Sequence, residues 1–75
     1  MAERASDPLA SKRVRELLLD LAPHARAVVL LRFQEDLDLS EIATLLAIPL
    51  STVKSHLSRS LERMRAQLEG ENHGS

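Results

Sequence analysis

Residues 41–60 read EIATLLAIPLSTVKSHLSRS, and the punctuation of this stretch decides the fold. Ile42, Ala43 and Leu46 fall on one face of a short helix spanning about residues 39–46. Pro49 cannot continue that helix, because it has no amide hydrogen and its ring crowds the preceding turn. It can, however, stand at the entry of the next helix. A second apolar line runs Val53, Leu57, Leu61, Met64 and Leu68 in steps of three and four, which predicts a helix ending near Leu68. Only about three residues are left for the turn between the two, so the pair has the helix-turn-helix pattern.

With Val53 and Leu57 facing the core, Ser51, Thr52, Lys54, Ser55, Ser58 and Arg59 face away, and His56 lies towards the flank. Hydroxyls and amides at a helix start suit phosphate oxygens, and the helix dipole favours an anion there. Lys54 and Arg59 suit phosphates or guanine edges, and a guanidinium can pair with a base edge through two hydrogen bonds. The same residue types on any exposed helix are ordinary solvated surface. Position selects the sharper reading: the second helix of this motif lies in the major groove and offers its N-terminal residues to base edges.

Upstream, Asp38 followed three residues later by Glu41 forms a capping box with Asp in place of the usual hydroxyl residue. Ser40 is a rival cap that moves the start by two residues. Before it, residues 23–34 open on Pro23 and carry Val28, Val29, Leu30, Leu31 and Phe33, apolar nearly all round, as expected of a central helix. These residues cannot all face one way, so the surplus either packs under the first helix or leaves a docking patch. Asp7-Pro8 is a start signal for that first helix, with Val14, Leu17, Leu18 and Leu21 on its buried face. No stretch alternates as a strand does. The expectation is all-α: a small four-helix domain containing a helix-turn-helix, without a wing. A linker or unstructured N-terminus takes 1–11, the domain 12–68 and an unstructured tail 69–75.

The chain has 75 residues, room for one domain, and at this size only about 60% of the unfolded surface is buried. Phe33 is the single aromatic residue, so the core is aliphatic. Cysteine is absent, which excludes disulfides and thiolate metal sites. His24, His56 and His73 are scattered, and no metal or cofactor is expected. No apolar run is long enough for a membrane span, and the N-terminus lacks a secretory signal, so a cytoplasmic setting is expected. The net charge of −1 conceals sorting along the chain. Residues 50–68 carry Lys54, Arg59, Arg63 and Arg65 against Glu62, whereas residues 35–41 carry Glu35, Asp36, Asp38 and Glu41 with no positive residue. Those four carboxylates lie in a turn and a helix start, where capping explains them. No nucleophile–base pair or phosphate-binding glycine loop accompanies them, so the chain does not read as an enzyme.

The stretch HARAVVLLRFQEDLDLSEIATLLAIPLSTVKSHLSRSLERMRAQL, 24–68, resembles region 4 of bacterial sigma-70 family sigma factors, above all the extracytoplasmic-function (ECF) branch. The most specific pieces are EIA at 41–43 and TVKSHLSR at 52–59, set at the family's interval; LAPHARAVVLLR resembles its Leu-Pro, Arg and aliphatic run. The resemblance implies a domain that binds the promoter −35 element and rests on the β flap of RNA polymerase, acting as a monomer. An anti-sigma factor is a further partner it implies. Family positions near DNA fall on Lys54, Ser55, Ser58 and Arg59; Arg32 takes the place of an Arg that helps hold the DNA backbone. Thr52 matches a phosphate contact or local cap, and Ser51, His56 and Arg63 complete the candidate DNA-binding set.

Departures from the family fall at Asp36 and Ala47, where Gly is common, at Ser51, often Gly, and at His56, often Arg. Asp tolerates a left-handed backbone, so the turn at Asp36 is expected to survive, while Ala47 adds strain. Nothing in the chain reads as region 2, which leaves a fragment of a longer chain or a stand-alone relative as the expectations. Two alternatives remain. One is a LuxR-type regulator domain, which shares EIA and TVK but dimerises through a later helix. The other is an interaction module that binds polymerase or an anti-sigma factor without useful DNA affinity.

Overall fold

A computed structural model of the chain describes residues 11–74, with side chains described for 11–70. Four helices follow in order: α1, Lys12–Leu19; α2, Pro23–Phe33; α3, Leu39–Leu46; and α4, Leu50–Gly74. Among the described residues there is no strand. The start signal at Asp7-Pro8 lies outside the described residues; the described α1 opens at Ser11, whose side chain accepts from the Val14 amide.

Each later helix starts where local chemistry directs it. α2 has no side-chain cap but carries Pro at its first position, where the missing N–H leaves nothing unsatisfied. α3 starts at Asp38 rather than Ser40. The Asp38 carboxylate accepts from the Glu41 amide at 2.8 Å, and the Glu41 carboxylate accepts from the Asp38 amide at 2.9 Å. At α4 the Pro49 carbonyl accepts from the amides of Thr52 and Val53 at 3.0 and 3.1 Å. α4 does not end near Leu68. Its backbone stays helical through Gly74, with Arg65 bridging Glu62 and Glu69 one turn to either side.

α2 is the hub. Ala25 and Val29 join Leu17, Leu18, Leu21 and Met64 in one buried cluster, with Leu30 packed against it. Val28 joins Ile42 and Val53 in a second cluster, with Leu31 packed against that one. A helix apolar nearly all round is therefore used on two sides, and Leu57 of α4 touches both clusters. Only Phe33 is left over, 40% exposed at the end of α2. It lines an apolar groove of about 280 Å³ with Val14, Leu61, Met64 and Leu68.

One buried position on α4 differs from expectation. Leu61 is 38% exposed, and Ser60 is buried instead, at 4%. At 100° per residue, Ser60 lies about 20° from the direction of Val53 and Leu61 about 80°. The stripe is therefore Val53, Leu57, Ser60 and Met64, with Leu68 partly buried at its end.

Among the described residues two non-glycines adopt positive φ, and both flank α3: Asp36 at 60° and Ala47 at 57°. Asp36 fits the expectation for a side chain that tolerates this region. Ala47 forms the left-handed cap of α3, donating to the carbonyls of Ala43 and Thr44.

Candidate nucleic-acid interface

The first half of α4 is anchored from beneath. Val53 is 0% exposed and packs with Val28 and Ile42, which fixes the rotation of the helix about its own axis. Ser51, Lys54, Ser55, Ser58 and Arg59 are then all exposed on the outward side, close enough along the helix to form one surface. Thr52 is half-buried, and its amide is committed to the Pro49 carbonyl.

The four cations of α4 divide into two kinds. Arg63 donates to the Asp20 carboxylate at 2.7 Å, tying α4 to the end of α1 across 43 residues of sequence. Arg65 sits between Glu62 at 3.6 Å and Glu69 at 3.8 Å. Among the described residues neither Lys54 nor Arg59 is held in an ion pair. The local excess of positive charge thus rests on Lys54 and Arg59, at the N-terminal half of the helix.

Three candidate residues are placed apart from this surface. Arg63 is engaged by Asp20, on the flank that faces α1. His56 is half-buried and stacks on His24 at the start of α2, with ring centroids 6.4 Å apart and planes at 30°. Arg32, at the end of α2, reaches the Asp36 carboxylate at 3.5 Å and lies over the Phe33 ring at 5.7 Å. Its side chain is 39% exposed.

The sequence reading missed Arg26. Its guanidinium donates to the carbonyls of Leu18, Leu19 and Leu21 at 3.0, 3.2 and 3.0 Å, satisfying acceptors at the end of α1 and holding α1 to α2. Among the described residues no group of three or more His, Cys, Asp or Glu could hold a metal ion. Nor is any described helix long and apolar enough to cross a membrane.

Residues 11–64 match the family model described as Sigma-70, region 4, which spans α1 through most of α4. The chain belongs to the sigma-70 region 4 family. This region 4 domain is 41% identical over 70 residues to an RNA polymerase sigma-E factor of Streptomyces antibioticus, covering 88% of the chain and 39% of that protein. It is 46% identical over 59 residues to the RNA polymerase sigma-E factor of Streptomyces avermitilis, covering 73% of the chain and 33% of that protein. With the ECF RNA polymerase sigma factor SigW of Bacillus subtilis it shares 36% over 58 residues, covering 77% of the chain and 31% of the relative. The chain thus spans between about a third and two-fifths of the length of the curated relatives it matches. No solved structure matches it. Membership of region 4, ECF branch included, sets aside the LuxR-type alternative.

Proposed function

We propose that this region 4 domain binds promoter DNA at the −35 element through the first half of α4 and docks on RNA polymerase to support transcription initiation in the cytoplasm. The observation that carries the reading is the exposed set Ser51, Lys54, Ser55, Ser58 and Arg59, with both cations unpaired, above a fully buried Val53. In this reading Arg59 and Lys54 meet base edges or phosphates, and Ser55 and Ser58 supply short-range hydrogen bonds. Arg32 exchanges Asp36 for a backbone phosphate. His56, stacked on His24, orients α4 rather than reading a base, and Arg63 serves as a strut. The chain makes no covalent chemistry in this role and acts as a monomer on DNA.

Polymerase contact falls on the apolar groove of Phe33, Leu61, Met64 and Leu68, which reaches Val14 of α1. An anti-sigma factor competing for the same groove fits the same chemistry.

The test is titration of a −35-type duplex and a scrambled duplex at low salt. Arg59→Ala is expected to cost about 1–3 kcal/mol on the promoter duplex and to narrow its margin over the scrambled one. Unchanged duplex binding by Arg59→Ala contradicts the assignment of α4 as the reading helix, and flap binding without any salt-sensitive duplex binding supports a pure interaction module instead.

A further inference from the structure

The outward side of α3 carries a second shallow groove, of about 450 Å³, lined by Leu37, Ser40, Glu41, Thr44 and Leu45. Leu45 is 62% exposed, while its neighbour Leu46 packs inward against the second cluster. A single exposed leucine is ordinary on a protein surface. Here it shares an apolar groove with Leu37 and is rimmed by charge of one sign. From Phe33 to Val53 the chain has no Lys or Arg, and it has Glu35, Asp36, Asp38 and Glu41. Arg32, just before this stretch, reaches Asp36 at 3.5 Å. The Asp38 and Glu41 carboxylates are fixed in place by the capping box, which uses one oxygen of each.

We infer that this groove is a docking site for a basic amphipathic segment of another protein. An aliphatic side chain of the partner enters between Leu37 and Leu45, and its Lys or Arg residues meet the carboxylate rim. Charge complementarity selects the occupant: nucleic acid and anionic lipid are repelled by this surface, whereas a basic segment is drawn to it. A second copy of this chain offers Leu61, whose neighbour Arg65 is already paired with Glu62 and Glu69, or Leu50, 39% exposed and one turn from Lys54; self-association is therefore an outcome of the test. Helix-in-groove recognition needs few contacts, with apolar anchors supplying affinity and the charged rim supplying orientation. The inference concerns α3 alone and stands whether or not α4 reads DNA.

The experiment titrates the isotope-labelled chain with two synthetic helical peptides sharing one leucine pattern, one with lysine and one with glutamate on the polar face. The lysine peptide is expected to move the amide signals of Leu37, Thr44 and Leu45, and Leu45→Arg to weaken its binding about tenfold or more. Leu45 is exposed, so this variant retains the fold, checked by its melting curve. The inference is overturned if both peptides bind alike, or if the shifts fall at Phe33 and Leu61 instead. It is equally overturned if Leu45→Arg binds the lysine peptide as well as the parent chain does, or if Leu45 shifts with chain concentration alone. Duplex binding measured in parallel reports on α4, so failure of either reading is seen separately.

Discussion

Ile42 in α3 and Val53 in α4 are both 0% exposed and pack in the same cluster with Val28, yet the outward faces of their helices have opposite character. α3 shows Leu45, Glu41 and the carboxylates that precede it; the first half of α4 shows Lys54, Arg59 and a row of serines. The two helices are consecutive and joined by a tight turn, so their difference cannot come from packing. Anchoring is shared, and the free faces differ in charge. A total of −1 says nothing about this, because opposite charges a few residues apart cancel in the sum while remaining separate on the surface. Within α4 the division is finer still. Arg63 and Arg65 pair with carboxylates of the same chain, whereas among the described residues Lys54 and Arg59 are in no ion pair.

The shared anchor is the most sensitive point. Ile42→Ala removes a fully buried side chain that braces both helices, and is expected to cost about 2–5 kcal/mol by chemical denaturation. In a domain this small that loss removes most of the stability, and DNA binding is expected to fall with it. A cost below 1 kcal/mol shows that the two helices do not share an anchor. The duplex effect of Arg59→Ala comes next in size and touches the α4 face alone. The smallest expected effect lies in the turn that joins the pair. Ala47 holds a left-handed conformation at φ 57°, ψ 45°. Glycine removes the Cβ clash there but brings more freedom to the unfolded chain, so Ala47→Gly is expected to stabilise by roughly 0.5–1 kcal/mol. A lower melting temperature for this variant contradicts the strain.

Much of this was legible in the sequence because it is local. The Asp38–Glu41 box, the prolines at 23 and 49, the left-handed Asp36 and the buried faces of α1 and α3 all depend on residues within a turn of one another. The exposed set on α4 follows from the same periodicity. What could not be read depends on distance along the chain. The Asp20–Arg63 pair and the His24–His56 stack bring together residues whose neighbours give no hint of the partner. They give Arg63 and His56 partners within the chain. Arg26 belongs with them: it stands in the first turns of α2, and its three carbonyl acceptors at the end of α1 are set by how α2 turns back. The exchange of Leu61 for Ser60 has another cause. Steps of four accumulate rotation, and over eight residues the apolar pattern drifts off the buried stripe while a small polar residue stays on it.

The central claim is that the unpaired cations of α4, and not the paired ones, hold DNA. The most direct test is the salt dependence of binding to a −35-type duplex for the parent chain, Lys54→Gln and Arg63→Gln. With about four or five phosphate contacts, the slope of log K against log salt is expected near −4 for the parent. Lys54→Gln is expected to make it shallower by about one unit, whereas Arg63→Gln, which removes only an exposed ion pair worth about 0–1 kcal/mol, leaves it unchanged. A slope that responds to Arg63 and ignores Lys54 contradicts the account.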